Sequence, residues 1–118
     1  MEKTVDINGR EVKFKATAAT LRIYRQIFRR DMLSDMQTLQ AEAGKEVLST
    51  DALQLFENIA YTMAWQADPT IPGTADEWLD SFDIFDIYRI LPQIIELWGI
   101  STTTLSDFKK KAPSQTGL

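Results

Sequence analysis

The sequence predicts a mainly α-helical, α+β domain in which an N-terminal β-hairpin packs on a bundle of about four to five helices. Three observations predict it. An Asn8-Gly9 pair separates two short segments that alternate polar and apolar residues. Most of the remaining chain carries apolar residues at helical spacing, punctuated by Ser, Thr and Asp caps and by Pro/Gly breaks. The length of 118 residues, 44% of them hydrophobic, suits one domain with a real core.

The hairpin spans Lys3 to Ala16. Asn-Gly is the strongest short hairpin signal, because both residues of a type I′ turn need positive φ. Val5 and Ile7 on one strand and Val12 and Phe14 on the other make one apolar face, with Lys13 and Lys15 turned away. A lone two-stranded hairpin is marginal in water, so that face must lie against helices.

Thr17 or Thr20 caps a first helix over about residues 18–30, with Leu21, Tyr24, Ile27 and Phe28 on one face. The apolar phase then drifts. Met32, Met36 and Leu39 fit a second helix at about 32–41, restarted by Asp31 after a break near Arg30. Residues 41–49 read as a loop. Ser49 or Thr50 caps a third helix at about 51–67, apolar over most of its circumference and therefore central. Pro69, Pro72 and Gly73 enforce a turn. Thr74-Ala75-Asp76-Glu77 matches a capping box before a short helix bearing Trp78, Leu79 and Phe82. Asp83 caps a last helix at about 84–98, kinked near Tyr88 by Pro92 and closed by Gly99. The globular domain is expected over 1–105. Residues 106–118 are polar, with Lys109-Lys110-Lys111 and Pro113, and read as a flexible C-terminal tail.

Composition restricts the chemistry. The chain has no Cys and no His. Thiol nucleophiles, disulfides and the commonest general base and zinc ligand are therefore excluded. No cofactor motif is present, neither GxGxxG nor GxxxxGK[ST] nor GxSxG, so no enzyme activity, cofactor or metal is expected. The absence of cysteine leans toward a cytoplasmic home. The N-terminus lacks an apolar segment of signal-peptide length, and no apolar run is long enough for a membrane span.

Charge is segregated along the chain. Residues 1–30 hold eight Lys/Arg against three Asp/Glu, a net +5. Residues 31–98 hold two against thirteen, a net −11, and residues 99–118 three against one, a net +2. Such polarity favours partner docking or self-association, or closes on itself within the fold. Arg22, Arg25, Arg29 and Arg30 resemble a nucleic-acid stripe, but the chain is acidic overall and no recognition motif accompanies them. A solvated or internally paired face is the plainer reading. The acidic group Asp76, Glu77, Asp80, Asp83 and Asp86 lacks EF-hand spacing and reads as a solvated, cap-rich face. Trp65, Trp78 and Trp98 each sit on an apolar stripe, where core packing is the default and an exposed partner anchor the alternative.

The run Phe14-Lys15-Ala16-Thr17-Ala18-Ala19-Thr20-Leu21-Arg22-Ile23-Tyr24-Arg25 resembles the opening motif of tail assembly chaperones of long-tailed phages and prophages of Gram-positive bacteria. Phe28-Arg29-Arg30-Asp31 is similar to that family's FGRD, with Arg29 where Gly is common. Phe56 to Tyr61, Gln66 to Pro69, Asp76 to Asp80 and Leu91 to Trp98 also match, so the resemblance covers roughly residues 3–100. It implies a cytoplasmic helper of virion morphogenesis, made in the infected host and absent from the mature virion. Its implied partners are the tape measure protein, whose long helices it keeps soluble, and the major tail tube protein, which it recruits. The family often makes a longer form by ribosomal frameshifting near the 3′ end of the gene. Lys109-Lys110-Lys111 would be encoded by an A-rich run suited to such slippage. Self-association is a further expected contact, and neither nucleic acid nor membrane is an expected partner. Arg22, Arg25 and Arg29 together with Met32 and Met36 are the expected protein-binding surface, since flexible Met side chains suit an adaptable contact. The competing function is a small phage-encoded regulator that binds nucleic acid through the arginine face.

Overall fold

The computed structural model describes residues 1–42, 47–90 and 92–94. An antiparallel hairpin of β1 (Glu2–Ile7) and β2 (Arg10–Lys15) leads into α1 (Ala18–Phe28), α2 (Met32–Glu42), α3 (Thr50–Ala67), α4 (Ala75–Leu79) and α5 (Asp86–Arg89). Helix α3 is central. It packs on β2, α1, α2 and α4, and nine of its residues are buried. No helix among the described residues is long and apolar enough to cross a membrane.

The hairpin follows the local chemistry. Val5 pairs with Val12 and Ile7 with Arg10, which leaves Asn8-Gly9 as a two-residue turn. Both take positive φ, 55° at Asn8 and 84° at Gly9. The Gly9 N–H donates to Asp6 Oδ1 at 2.7 Å and closes the turn. Val5, Ile7, Val12 and Phe14 are all buried against the helices. On the outer face Asp6 stands directly opposite Glu11, a like-charge pair that costs rather than contributes.

Thr17 and Thr20 share the start of α1. The Thr17 N–H donates to Thr20 Oγ1 (2.9 Å), and the Ala19 N–H donates to Thr17 Oγ1 (3.2 Å). From the end of α3, Gln66 Nε2 donates to Thr17 Oγ1 at 2.6 Å, while the Thr20 hydroxyl donates to Gln66 Oε1. A helix start is thus bolted to a helix end 46–49 residues away in sequence. Helix α1 ends at Arg29, a left-handed C-cap (φ 58°, ψ 37°) whose N–H still reaches the Arg25 carbonyl at 2.9 Å. Asp31 then opens α2, accepting the Leu33 N–H at 3.0 Å.

Aromatic side chains thread the interior. Tyr24 touches Phe28 (centroids 5.1 Å apart), Phe28 meets Tyr61 edge-on (6.5 Å), and Tyr61 leans on Trp78 (5.8 Å). Trp78 meets Phe82 in a T (5.0 Å), and the Arg10 guanidinium lies 4.5 Å over the Phe82 ring. The series runs from α1 through α3 and α4 to the hairpin tip. The Tyr61 hydroxyl donates to the Pro72 carbonyl at 2.6 Å, which anchors the proline turn to α3.

Two expectations are corrected. The last helix is not continuous from residue 84: Ile84 and Phe85 lie in a turn, α5 covers only Asp86–Arg89, and residues 92–94 are again helical. Pro92 explains the interruption, because it has no N–H to donate and its ring crowds the carbonyl four residues earlier. Asp83 does not cap α5. The N-cap is Phe85, which makes no side-chain capping bond, and Asp83 Oδ2 instead accepts a 3.5 Å hydrogen bond from Asn8 Nδ2. Gly44, Trp98, Gly99 and the tail at 106–118 lie outside the described residues, as does the expected boundary at 105.

Gly9 and Arg29 make opposite predictions from the same backbone physics. Open space surrounds a Cβ added at Gly9, so Gly9→Ala costs only backbone strain, about 1 kcal/mol. Arg29→Gly relieves a left-handed L-residue and stabilises by roughly 0.5–1 kcal/mol after the added flexibility of the unfolded chain. Urea unfolding midpoints check both. Equal midpoints for wild type and Arg29→Gly would contradict the strain account.

Candidate protein-interaction surfaces

The five residues expected to form one binding surface are split by the fold. Arg22, Arg25 and Arg29 are all exposed; Arg22 and Arg25 lie on α1 and Arg29 is its left-handed C-cap. None is in an ion pair among the described residues. Met32 and Met36 are not surface groups: they are only 4% and 5% exposed and belong to the core cluster. The reason is the phase of α2. Its break from α1 turns the stripe Met32, Asp35, Met36 and Leu39 inward, toward α1 and α3. The methionines therefore fill space between helices and present nothing to a partner.

That same stripe carries a buried carboxylate held on both of its oxygens. Asp35 is 4% exposed. Its Oδ1 accepts Arg30 Nη2 at 2.8 Å, and its Oδ2 accepts Arg30 Nε at 2.8 Å and the Tyr24 hydroxyl at 2.6 Å. The guanidinium fork matches a carboxylate with two parallel bonds, the strongest geometry available to such a pair. Burial opposes ionisation of Asp35, but the Arg30 and Tyr24 hydrogen bonds outweigh it and hold the carboxyl below its usual range. Burial, then the Asp35 hydrogen bond, pushes the Tyr24 hydroxyl well above the ordinary tyrosine value. Arg30 is thus an internal partner, not a member of the arginine stripe. Sequence reasoning passed over Asp35. The available signal was a lone acid between Met32 and Met36 on an otherwise apolar stripe.

A second surface gathers around the turn between α4 and α5. A shallow groove of about 330 Å³ is lined by Leu79, Phe82 and Ile87 and by the acids Glu57, Asp76, Asp80 and Asp83. Ile84, which also lines it, is 79% exposed, and Phe85, next in the chain, is 67% exposed. Asp76 and Asp80 lie in no ion pair among the described residues. Glu57 Oε2 accepts the Tyr88 hydroxyl at 2.8 Å, and burial with this bond pushes Tyr88 up to about 12. Asp86 is turned inward and takes Arg89 at 3.2 Å. Of the acids expected to form one solvated face, Asp76, Glu77, Asp80 and Asp83 are exposed, and Asp86 is buried. Among the described residues no three carboxylates converge as metal ligands would. Trp78 is core; Trp65 is half-buried at its edge. No protein-family model, no curated protein and no solved structure matches this chain.

Stability should depend on pH on both flanks. Asp35 has a lowered folded pKa, so its contribution is present above about pH 4 and is lost as pH falls through the lower folded value. Tyr24 and Tyr88 have raised folded values, so theirs is present below about pH 10 and is lost as pH rises through those values. Asp35→Asn should lower stability by about 2 kcal/mol at pH 7 and make the acid limb shallower. Tyr24→Phe should cost about 1 kcal/mol and shrink the alkaline limb. Urea midpoints from pH 3 to 11 measure both. An Asp35→Asn protein with the full wild-type acid limb would refute the assignment.

Proposed function

We propose that this chain is a tail assembly chaperone of a long-tailed phage or prophage, working in the host cytoplasm and leaving before the virion matures. It binds the tape measure protein and recruits tail tube subunits to it. The observation that carries the reading is the surface around Ile84 and Phe85. Two large apolar side chains are left in water beside carboxylates that lie on open surface, not in a deep cleft. Two large apolar side chains exposed at successive positions, one of them on an acidic groove, suit a macromolecular partner. The resemblance in the ordered motifs from Phe14 to Trp98 supplies the identity of the clients. Several of those motif residues do structural work: Thr17, Thr20 and Gln66 form the α1–α3 clamp, and Arg30 holds Asp35. Self-association and a frameshifted longer form belong to the same proposal.

The second reading, a nucleic-acid-binding regulator, draws on Arg22, Arg25 and Arg29, three exposed arginines outside any ion pair among the described residues. The net charge of −4 and the acidic groove weigh against it. Co-expression with the tape measure and tube proteins of the same phage tests the proposal. Co-purification with the tape measure protein, or a severalfold rise in its soluble fraction, is expected. Loss of both effects, together with tight and salt-sensitive DNA binding abolished by Arg22→Glu/Arg25→Glu, would favour the regulator.

A further inference from the structure

We infer that the groove between α4 and α5 is a docking site for a basic amphipathic helix. The inference rests on the protein-binding reading but not on the identity of the client.

Three observations specify the occupant. The first is apolar. Leu79, Phe82, Ile84 and Ile87 line the groove, Ile84 with most of its surface in water, and Phe85, next in the chain, is also largely in water. An occupant that covered them would release water from a patch the fold itself leaves open. The second is electrostatic. The described lining residues include four acids and no cation. The nearby cations are already engaged: Arg89 on Asp86 at 3.2 Å, and Arg10 on Ser81 Oγ at 3.1 Å and over the ring of Phe82, itself a lining residue. Lysine or arginine flanking an apolar stripe would meet Glu57, Asp76, Asp80 and Asp83.

The third concerns backbone. The described lining of the groove comes from helical and turn segments and includes no strand residue, so it offers an entering strand no sheet edge to pair with. A segment entering an apolar groove must bring its own satisfied N–H and C=O groups. A helix does so, and presents large apolar side chains at i, i+3, i+4 and i+7 toward the floor.

The test is titration of the full-length chain with an 18-residue Leu/Lys amphipathic peptide, followed by fluorescence anisotropy and amide chemical shifts. The control is the same peptide with Glu for Lys. The Lys peptide should bind, weaken severalfold between low and moderate salt, and shift amides of residues 79–88. Phe85→Asp should weaken binding at least tenfold. Because Phe85 is exposed, the variant should fold, which circular dichroism verifies. Asp80→Lys should weaken binding more than the charge-matched Glu11→Lys, which lies on the outer face of the hairpin.

Equal loss from Asp80→Lys and Glu11→Lys would mean only general attraction to an acidic protein and would overturn the inference. So would amide shifts centred on α1. Binding that requires removal of residues 106–118 would assign the groove to the chain's own Lys109–Lys111 segment and also refute it. A dimer that dissociates on Phe85→Asp, with no peptide binding, would assign the groove to a second copy, with the same consequence. If the tape measure protein co-purifies equally well with Phe85→Asp, the groove fails and the chaperone reading stands. If the peptide binds and no tail protein does, the reverse holds.

Discussion

The fold depends on one buried carboxylate. Asp35 sits on α2, and both of its partners lie N-terminal to that helix: Tyr24 within α1 and Arg30 in the break between the two helices. An ionised carboxylate in that position is tolerable only with charge compensation and satisfied lone pairs. Two bonds from Arg30 and one from Tyr24 supply both. The constraint is geometric as well as energetic. For Arg30 to reach Asp35 five residues on, α1 must stop and the chain must turn, and the left-handed Arg29 is where it does. Backbone strain at Arg29 is therefore matched by the interaction one residue later.

Once the turn is set, the phase of α2 follows. Met32, Met36 and Leu39 are then directed at α1 and α3, and the core closes around α3. The Thr17–Thr20–Gln66 clamp acts at the other end of α1. There the capping bonds of one helix are also tertiary bonds to another, so cap and packing form together. Between these two polar locks run the aromatic contacts from Tyr24 to Phe82, where edge-on and tilted rings add about 1 kcal/mol per pair beyond the area they bury. Not every polar group is satisfied. The fully buried Trp78 Nε1–H meets no acceptor among the described residues, a local cost within an otherwise dense aromatic series.

Most elements were legible because each is announced by local chemistry. Asn8-Gly9 encodes its turn through positive φ, Thr17, Ser49 and Thr74 announce helix starts, and Pro69 with Pro72 forbids continuation. What was not legible depends on phase across a break. A helical stripe tells which residues share a face, but not what that face meets. Met32 and Met36 therefore looked like an adaptable surface and are core. Arg30 was read with Arg22, Arg25 and Arg29 because spacing was extended through the left-handed residue that ends the helix. Ile84 failed for a related reason: its place on the stripe required a helix beginning at residue 84, and α5 begins two residues later. Of the candidate surface, only the three arginines of α1 survive as exposed groups.

Removing the methionines from the surface changes where an apolar contact can be made. On α1 the stripe offers guanidinium groups, which steer and orient a partner but contribute modestly when they stay in water. The exposed large hydrophobics among the described residues are Met1, Ile27, Val47, Ile84 and Phe85; Ile84 lines the acidic groove and Phe85 is its neighbour in the chain. These two are exposed because the chain breaks into a turn ahead of α5, which begins only at Asp86, so Ile84 and Phe85 precede the inward-facing Asp86, Ile87 and Ile90. The same break that deprives the core of Ile84 leaves an apolar edge next to Asp80 and Asp83. A partner that uses this edge would recover burial that the fold forgoes, and its charge would have to be positive. The arginine stripe would repel such a partner, so a ligand suited to one of the two surfaces would be selected against by the other.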